Sequence, residues 1–201
     1  MFLSLNSVLI DGRVHWPEFP RLAAQVGFPG TDVMLAAAMR EGASATNDLL
    51  GQLKLLPAAI DFPVEFRKDQ ATFEAGLSKL SEQARFAAAI RCPRMVTYIM
   101  PSRETPKEEL RATYKQRFTA AARILADSNV RLGLEFLGPL ELRKMYKYEF
   151  IWRMNDMLAF ARECGPNVGL LLDSWHWHHA GATPRGHPCG RPRSNRPRPF
   201  Q

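Results

Sequence analysis

Residues 131–137 read Arg-Leu-Gly-Leu-Glu-Phe-Leu, and residues 168–173 read Val-Gly-Leu-Leu-Leu-Asp. Each is a short apolar run bounded by Gly, Pro or Asn. Each also carries one carboxylate: Glu135 within the first run and Asp173 at the end of the second. Continuous apolar runs of this length suit parallel strands buried on both faces. Residues 95–100 (Met-Val-Thr-Tyr-Ile-Met) form a third. Helical spacing fills the intervals: Phe73, Leu77, Leu80, Ala84 and Ala88; then Leu110, Tyr114, Phe118, Ala121 and Leu125; then Ile151, Met154, Leu158 and Ala161. The second of these helices opens on Thr105-Pro106-Lys107-Glu108, which reads as a capping box with proline at the first helical position.

Toward the N-terminus the alternation continues. Phe2–Ile10 reads as a strand, and Pro17–Val26 as a helix with Phe19, Leu22, Ala23 and Val26 on one face. Thr31–Leu35 is a short strand, and Leu53–Phe62 contains another. Six strands, centred near residues 5, 33, 58, 97, 134 and 170 and mostly separated by helices, imply an α/β fold with a parallel sheet. A doubly wound sheet and a TIM barrel both fit. No GxGxxG follows a strand and no GxxxxGK[ST] occurs, so nucleotide-phosphate cradles lack support.

Composition narrows the function classes. With 201 residues, 46% hydrophobic and 23% charged, the chain is not disordered over most of its length, nor collagen, coiled coil or disulfide scaffold. The net charge of +7 invites a nucleic-acid reading, but five arginines (185, 191, 193, 196 and 198) lie after residue 184 with no acidic residue among them. Without those five, 22 of the 27 basic residues face 20 acidic ones, so the body is nearly neutral. Residues 1–184 therefore read as the folded domain, and residues 185–201, rich in Arg and Pro, as a disordered tail. Cys92, Cys164 and Cys189 form no CxxC pair and read as reduced thiols. The N-terminus has no signal-peptide pattern and no apolar stretch reaches about 20 residues, so a cytoplasmic protein with no membrane partner is expected.

The two carboxylates carry the chemistry. A charge at the end of a buried strand is costly unless paired or metal-bound. In barrels, the C-terminal strand ends are where active sites are built. Glu135 and Asp173 lie one strand-helix unit apart, so they occupy equivalent places on adjacent strands and converge. They would repel unless a cation or proton lies between them. Asp173-Ser174-Trp175-His176 adds an imidazole three residues on, and oxygen and imidazole donors together suit Mn, Mg, Co or Zn.

Gly133-Leu134-Glu135-Phe136-Leu137-Gly138-Pro139, followed by Asn167-Val168-Gly169-Leu170-Leu171-Leu172-Asp173-Ser174-Trp175-His176-Trp177, resembles the xylose isomerase-like TIM barrel family, in particular its sugar phosphate isomerase/epimerase branch. The resemblance implies that Glu135 and Asp173 bind a divalent metal (Mn, Mg or Co; Zn if the chain is endonuclease IV-like). It implies that Glu135 also acts as the catalytic base. His176 would contact substrate, as in the epimerases, or metal, as in the endonuclease relatives. The implied activity is isomerisation or epimerisation of a sugar, sugar phosphate or related polyol through an ene-diolate, the metal acting as a Lewis acid. The family's barrel has eight βα units; about six are present here. Its His on strand seven and Glu on strand eight have no counterpart, and His187 lies in no strand context. A C-terminally truncated barrel of impaired activity is the expectation, with residues 185–201 read as the product of a shifted reading frame. Open sheet edges add the expectation of a homo-oligomer.

Other residues are weaker candidates. Trp175 and Trp177 either wall a sugar site or pack in the core. Arg143 either binds a substrate phosphate or carboxylate or is a surface arginine. Asn6 and His15 lie near the end of the first strand; His178 and His179 read as a polar loop. Two further function classes remain open beside the isomerase/epimerase. One is an endonuclease IV-like phosphodiesterase on abasic DNA, which the neutral body disfavours; the other is a non-enzymatic remnant, including a nucleic-acid binder acting through the arginine tail. No nucleic-acid partner is expected.

Overall fold

In the computed structural model, which describes residues 1–10 and 12–183, a 3-10 turn (Ser7–Ile10) leads into α1 (Glu18–Gln25) and β1 (Gly30–Thr31). Two helices, α2 (Leu35–Glu41) and α3 (Ala43–Gln52), precede β2 (Leu56–Pro57) and β3 (Ile60–Asp61). Then come α4 (Gln70–Ala89), β4 (Arg94–Ile99), β5 (Ser102–Arg103) and α5 (Lys107–Ala126). The remainder is β6 (Arg131–Phe136), α6 (Leu140–Arg143), β7 (Tyr148–Glu149), α7 (Met154–Cys164), β8 (Val168–Leu171) and α8 (Ser174–His179).

The strands wind in one direction. β3, β4, β6 and β8 form a parallel sheet in chain order. β1 and β2 pair in parallel, and Leu5 makes a parallel bridge to Thr31. Residues 56–61 join the two groups: Ala58 N donates to Thr31 O at 2.8 Å, while β3 pairs with β4. Six strand positions thus follow one another without the reversal of order that defines a doubly wound sheet. The arc is that of a TIM barrel: five positions are held by strands, β2 and β3 sharing one, and the first by the single bridging residue Leu5.

Side-chain alternation assigns the two faces of this arc. Leu132, Leu134 and Phe136 of β6 are buried against the outer helices, whereas Gly133 and Glu135 face the other way and are half-buried. The expectation of strands buried on both faces therefore fails on the inner side, which opens onto a cavity. Outside the sheet, α4, α5 and α7 pack side by side over an aromatic layer. Phe118 is fully buried there, with ring centroids 4.6 Å from Phe66, 6.0 Å from Tyr114 and 6.2 Å from Phe160. Burial of these rings supplies a large share of the hydrophobic stabilisation.

Several local expectations are corrected. Phe2–Ile10 is not a strand: Leu5 alone bridges, and Asn6 Oδ1 accepts from Val8 N at 2.8 Å, turning the chain into the 3-10 turn. Of the expected strand Thr31–Leu35 only Thr31 lies in a strand, the two-residue β1, before α2 begins at Leu35. Thr105-Pro106-Lys107-Glu108 makes no capping box, because Pro106 itself is the N-cap, with ψ at 143°, and no side chain caps α5. Thr105 lies one residue too early to serve. The Asp173–His179 segment is not a loop; residues 174–179 form α8. Helices α2 and α3 and the antiparallel β5–β7 pair had no sequence signal strong enough to place them. The expected tail 185–201 lies outside the described residues. Among the described residues no helix is long and apolar enough to cross a membrane.

Truncating the centre of the aromatic layer tests its weight. Phe118→Ala should cost about 3–5 kcal/mol, read as a lowered denaturant midpoint with an unchanged m-value.

Candidate active site

Parallel pairing aligns the chemistry before any side chain is considered. In the ladder Tyr98, Glu135 and Leu171 stand level, and Asp173 follows Leu171 by two residues, on the same face. Asp173 then caps α8: its Oδ1 accepts from Trp175 N at 2.7 Å and from His176 N at 3.0 Å. That cap commits one carboxylate oxygen and starts a helix whose first turn carries His176 back over the strand ends.

Gly138 makes room for this helix. A Cβ at residue 138 would collide with the backbone carbonyl of His176 and come within 2.7 Å of Ala180 N. The glycine of the Gly133–Pro139 motif is thus the floor on which α8 sits.

One ligand atom each from Glu135, Asp173 and His176 lies within 4.8 Å of the others, and all three residues are half-buried. Burial, with the charge of Asp173 adding to it, pushes the Glu135 carboxyl up to about 7. Burial lowers the affinity of His176 for a proton, against the pull of Asp173. His176 Nδ1 is buried and has no hydrogen-bond partner. Two crowded carboxylates and an orphaned imidazole nitrogen fit a divalent cation: it would neutralise the repulsion and satisfy the nitrogen.

These residues line an open cavity of ≈ 700 Å³ at the C-terminal ends of the strands, with Asn6, Asp61, Arg67, Thr97 and Tyr98 among its other walls. Asp61 and Arg67 were not singled out from sequence. Asp61 had a readable signal, since it ends a short strand run as Asp173 does. Arg67 had none, because its place depends on the loop after β3. There its Nη2 donates to Tyr98 O at 2.7 Å and to Thr97 Oγ1 at 3.2 Å, and its guanidinium lies over the Phe66 and Tyr98 rings. Behind Asp61, Asp32 accepts from Ser7 N at 3.1 Å. Burial raises the Asp32 carboxyl to about 6; the Ser7 hydrogen bond opposes this and the charge of Asp61 adds to it.

Of the remaining candidates only Asn6 reaches the cavity. Trp175 is 53% exposed, its ring against His176 and His179 rather than on the cavity wall. Trp177 packs against the hydrophobic core. Arg143 stacks on the Trp152 ring at 3.5 Å, bonds Glu149 at 3.0 Å and does not line the cavity. Asn6 does line it; His15 is exposed and does not. His178 and His179 are exposed on α8. Among the described residues no other group of three His, Cys, Asp or Glu side chains is spaced to hold a metal, so the extra earlier-strand ligands of the endonuclease reading are not found there.

Comparison with known proteins agrees with this architecture. The sequence model described as xylose isomerase-like TIM barrel matches residues 20–195. No curated protein matches by sequence. A xylose isomerase domain protein from Alicyclobacillus acidocaldarius is 28% identical, with a TM-score of 0.81 over 90% of this chain and 66% of its own. The IolI protein, solved with a bound zinc atom, is 17% identical (TM-score 0.72; 91% and 66% covered). D-psicose 3-epimerase, solved with D-fructose, is 15% identical (TM-score 0.67; 89% and 65% covered). The last two establish the fold alone, and the chain spans just under two thirds of each relative's length.

Two substitutions probe the site's construction. Gly138→Ala should weaken Mn²⁺ binding at least about tenfold while the far-UV spectrum stays unchanged, because it moves α8 and with it His176. For Asp32, a carboxyl with a raised folded-state value favours folding at low pH. That contribution is lost as pH rises from 3.8 to about 6. The gain in Tm from Asp32→Asn should therefore grow across this window and level off above it.

Proposed function

From the premise that this chain belongs to the xylose isomerase-like TIM barrel family, we propose that it moves a proton at the carbon beside a carbonyl in a sugar, sugar phosphate or related polyol. The observation that carries this reading is the convergence of Glu135, Asp173 and His176 at the strand ends, inside a cavity of ≈ 700 Å³.

Asp173 and His176 would hold a divalent ion together with Glu135, and both are positioned by the cap and the first turn of α8. A bound divalent ion supplies Lewis-acid polarisation of substrate oxygens. Glu135 is the proton carrier. With the ion bound, Glu135 would stand as the carboxylate at the cavity wall, placed to take a substrate C–H proton and give it back. Taking the C–H proton leaves an ene-diol(ate). Return of the proton to the adjacent carbon, with a proton moving between the two substrate oxygens, completes an isomerisation; an epimerisation would draw its proton from a second acid or from solvent on the opposite face. Either outcome conserves atoms and electrons without an added oxidant or reductant. Asp61, Arg67, Asn6 and Tyr98 furnish the polar walls that orient hydroxyl groups.

Calorimetric titration with Mn²⁺ tests the ligand set: one site in the parent chain, weakened about tenfold or more in Asp173→Asn. Deuterium uptake from solvent into a ketose, followed by NMR, tests the proton transfer, which should vanish in Glu135→Gln while the fold persists. No Mn²⁺ site, or exchange unaffected by Glu135→Gln, would overturn the proposal.

A further inference from the structure

One acidic side chain of the main cavity has no part in holding the ion. Asp61 ends β3 and lines the cavity with Glu135, Asp173 and His176, yet it lies outside the group of three spaced for a metal. The ladder gives its place. Asp61 pairs with Val96 and Val96 with Gly133, so Asp61 stands level with a point two residues before Glu135. It therefore lies two strands, ~10 Å, to one side of Glu135 and two residues, ~7 Å, nearer the N-terminal ends of the strands. At that depth β6 carries Gly133, so no side chain of β6 stands between Asp61 and the space beside Glu135. The two carboxyl groups reach one cavity from different walls, with β4 between them.

Asp61 is also uncommitted. Among the described residues no hydrogen bond or ion pair engages its carboxyl. Arg67, the guanidinium that shares the cavity, pairs instead with Glu65 at 3.6 Å and bonds Thr97 Oγ1 and Tyr98 O. It also borders a second pocket, of ≈ 310 Å³, with Arg103 and Arg117. Behind Asp61 stands Asp32, whose carboxyl is held by Ser7 N at 3.1 Å. Burial raises the proton affinity of both aspartates, and for Asp32 the charge of Asp61 adds to it. Two carboxyls that oppose each other in this way hold a proton at a pH where isolated ones would be ionised. Asp61 is the member of that pair that opens onto the cavity.

We propose that Asp61 is the second proton-transfer residue of this cavity, donating to the reacting carbon from a wall other than that of Glu135, so that the configuration at that carbon inverts. This rests on the proton-transfer reading of the main cavity and deepens it by naming the second acid. Glu135 takes the C–H proton and its bonding pair stays on the substrate as the ene-diolate. Asp61 then gives its proton to the same carbon, so one C–H bond breaks and one forms. Glu135 ends protonated and Asp61 ionised, and water in the open cavity restores both. No oxidant or reductant takes part. An isomerisation, in which Glu135 returns the proton to the adjacent carbon, gives Asp61 no such task.

D-fructose in D₂O with the full chain and Mn²⁺, followed by NMR, gives two rates on one sample: deuterium uptake at C3 without inversion, and formation of the C3 epimer. Their ratio is the readout. Asp61→Asn should raise the ratio of uptake to epimer about a hundredfold, the contribution of one general acid, while Glu135→Gln should abolish both rates. A ratio that Asp61→Asn moves by less than about threefold, or a parent chain that takes up deuterium and forms no epimer, would overturn the proposal and leave the role of Glu135 standing. A parent chain with neither rate would overturn the reading of the main cavity and this proposal with it. A second measurement needs neither ion nor substrate. In a carboxyl ¹³C titration of the metal-free chain, Asp61→Asn should lower the midpoint of Asp32 from about 6. A midpoint that does not move would overturn the coupling from which Asp61 draws its proton.

Discussion

The in-register parallel pairing of β4, β6 and β8 is the constraint on which the rest of the molecule depends. It sets Tyr98, Glu135 and Leu171 on one level and leaves Asp173 just beyond, so two carboxylates meet at the same end of the sheet. A slip of one residue in any strand would turn its inner side chains outward, into the layer that α4, α5 and α7 cover. The aromatic contacts of Phe66, Tyr114, Phe118 and Phe160 hold the register indirectly, by fixing which face of each strand is outside.

The electrostatic consequence runs the other way. Bringing Glu135 and Asp173 together half-buried works against the folded chain, and the raised proton affinity of Glu135 expresses that opposition. A divalent cation between the two carboxylates would relieve that opposition. Asp32 and Asp61 repeat the pattern three strand positions earlier, and Asp61 lines the same cavity as Glu135, Asp173 and Arg67. Beyond Arg67 the balance of charge reverses, toward Arg103 and Arg117.

Much of this was legible in the chain because the signals were local. Glu135 and Asp173 stood out as carboxylates in apolar runs, and His176 as an imidazole at fixed spacing from Asp173. Asp61 carried a weaker form of the same signal. Trp175 and Arg143 failed to reach the cavity for reasons invisible in one dimension. The short helix α8 turns Trp175 away, and Arg143 is captured by Trp152 and Glu149. The first strand was misread because Asn6 competes for the backbone through its own side chain.

What the sequence by itself determined is the alternation of strand and helix, the polarity of each strand end and the identity of the three converging donors. These follow from periodicity and from the cost of burying charge, both properties of neighbours along the chain. Only the tertiary structure decided that the sheet winds in one direction, that Gly138 seats α8 beneath His176, and that Arg67 divides two cavities. Those outcomes rest on contacts between residues 30 or more positions apart, whose meeting is set by packing and hydrogen-bond geometry in space.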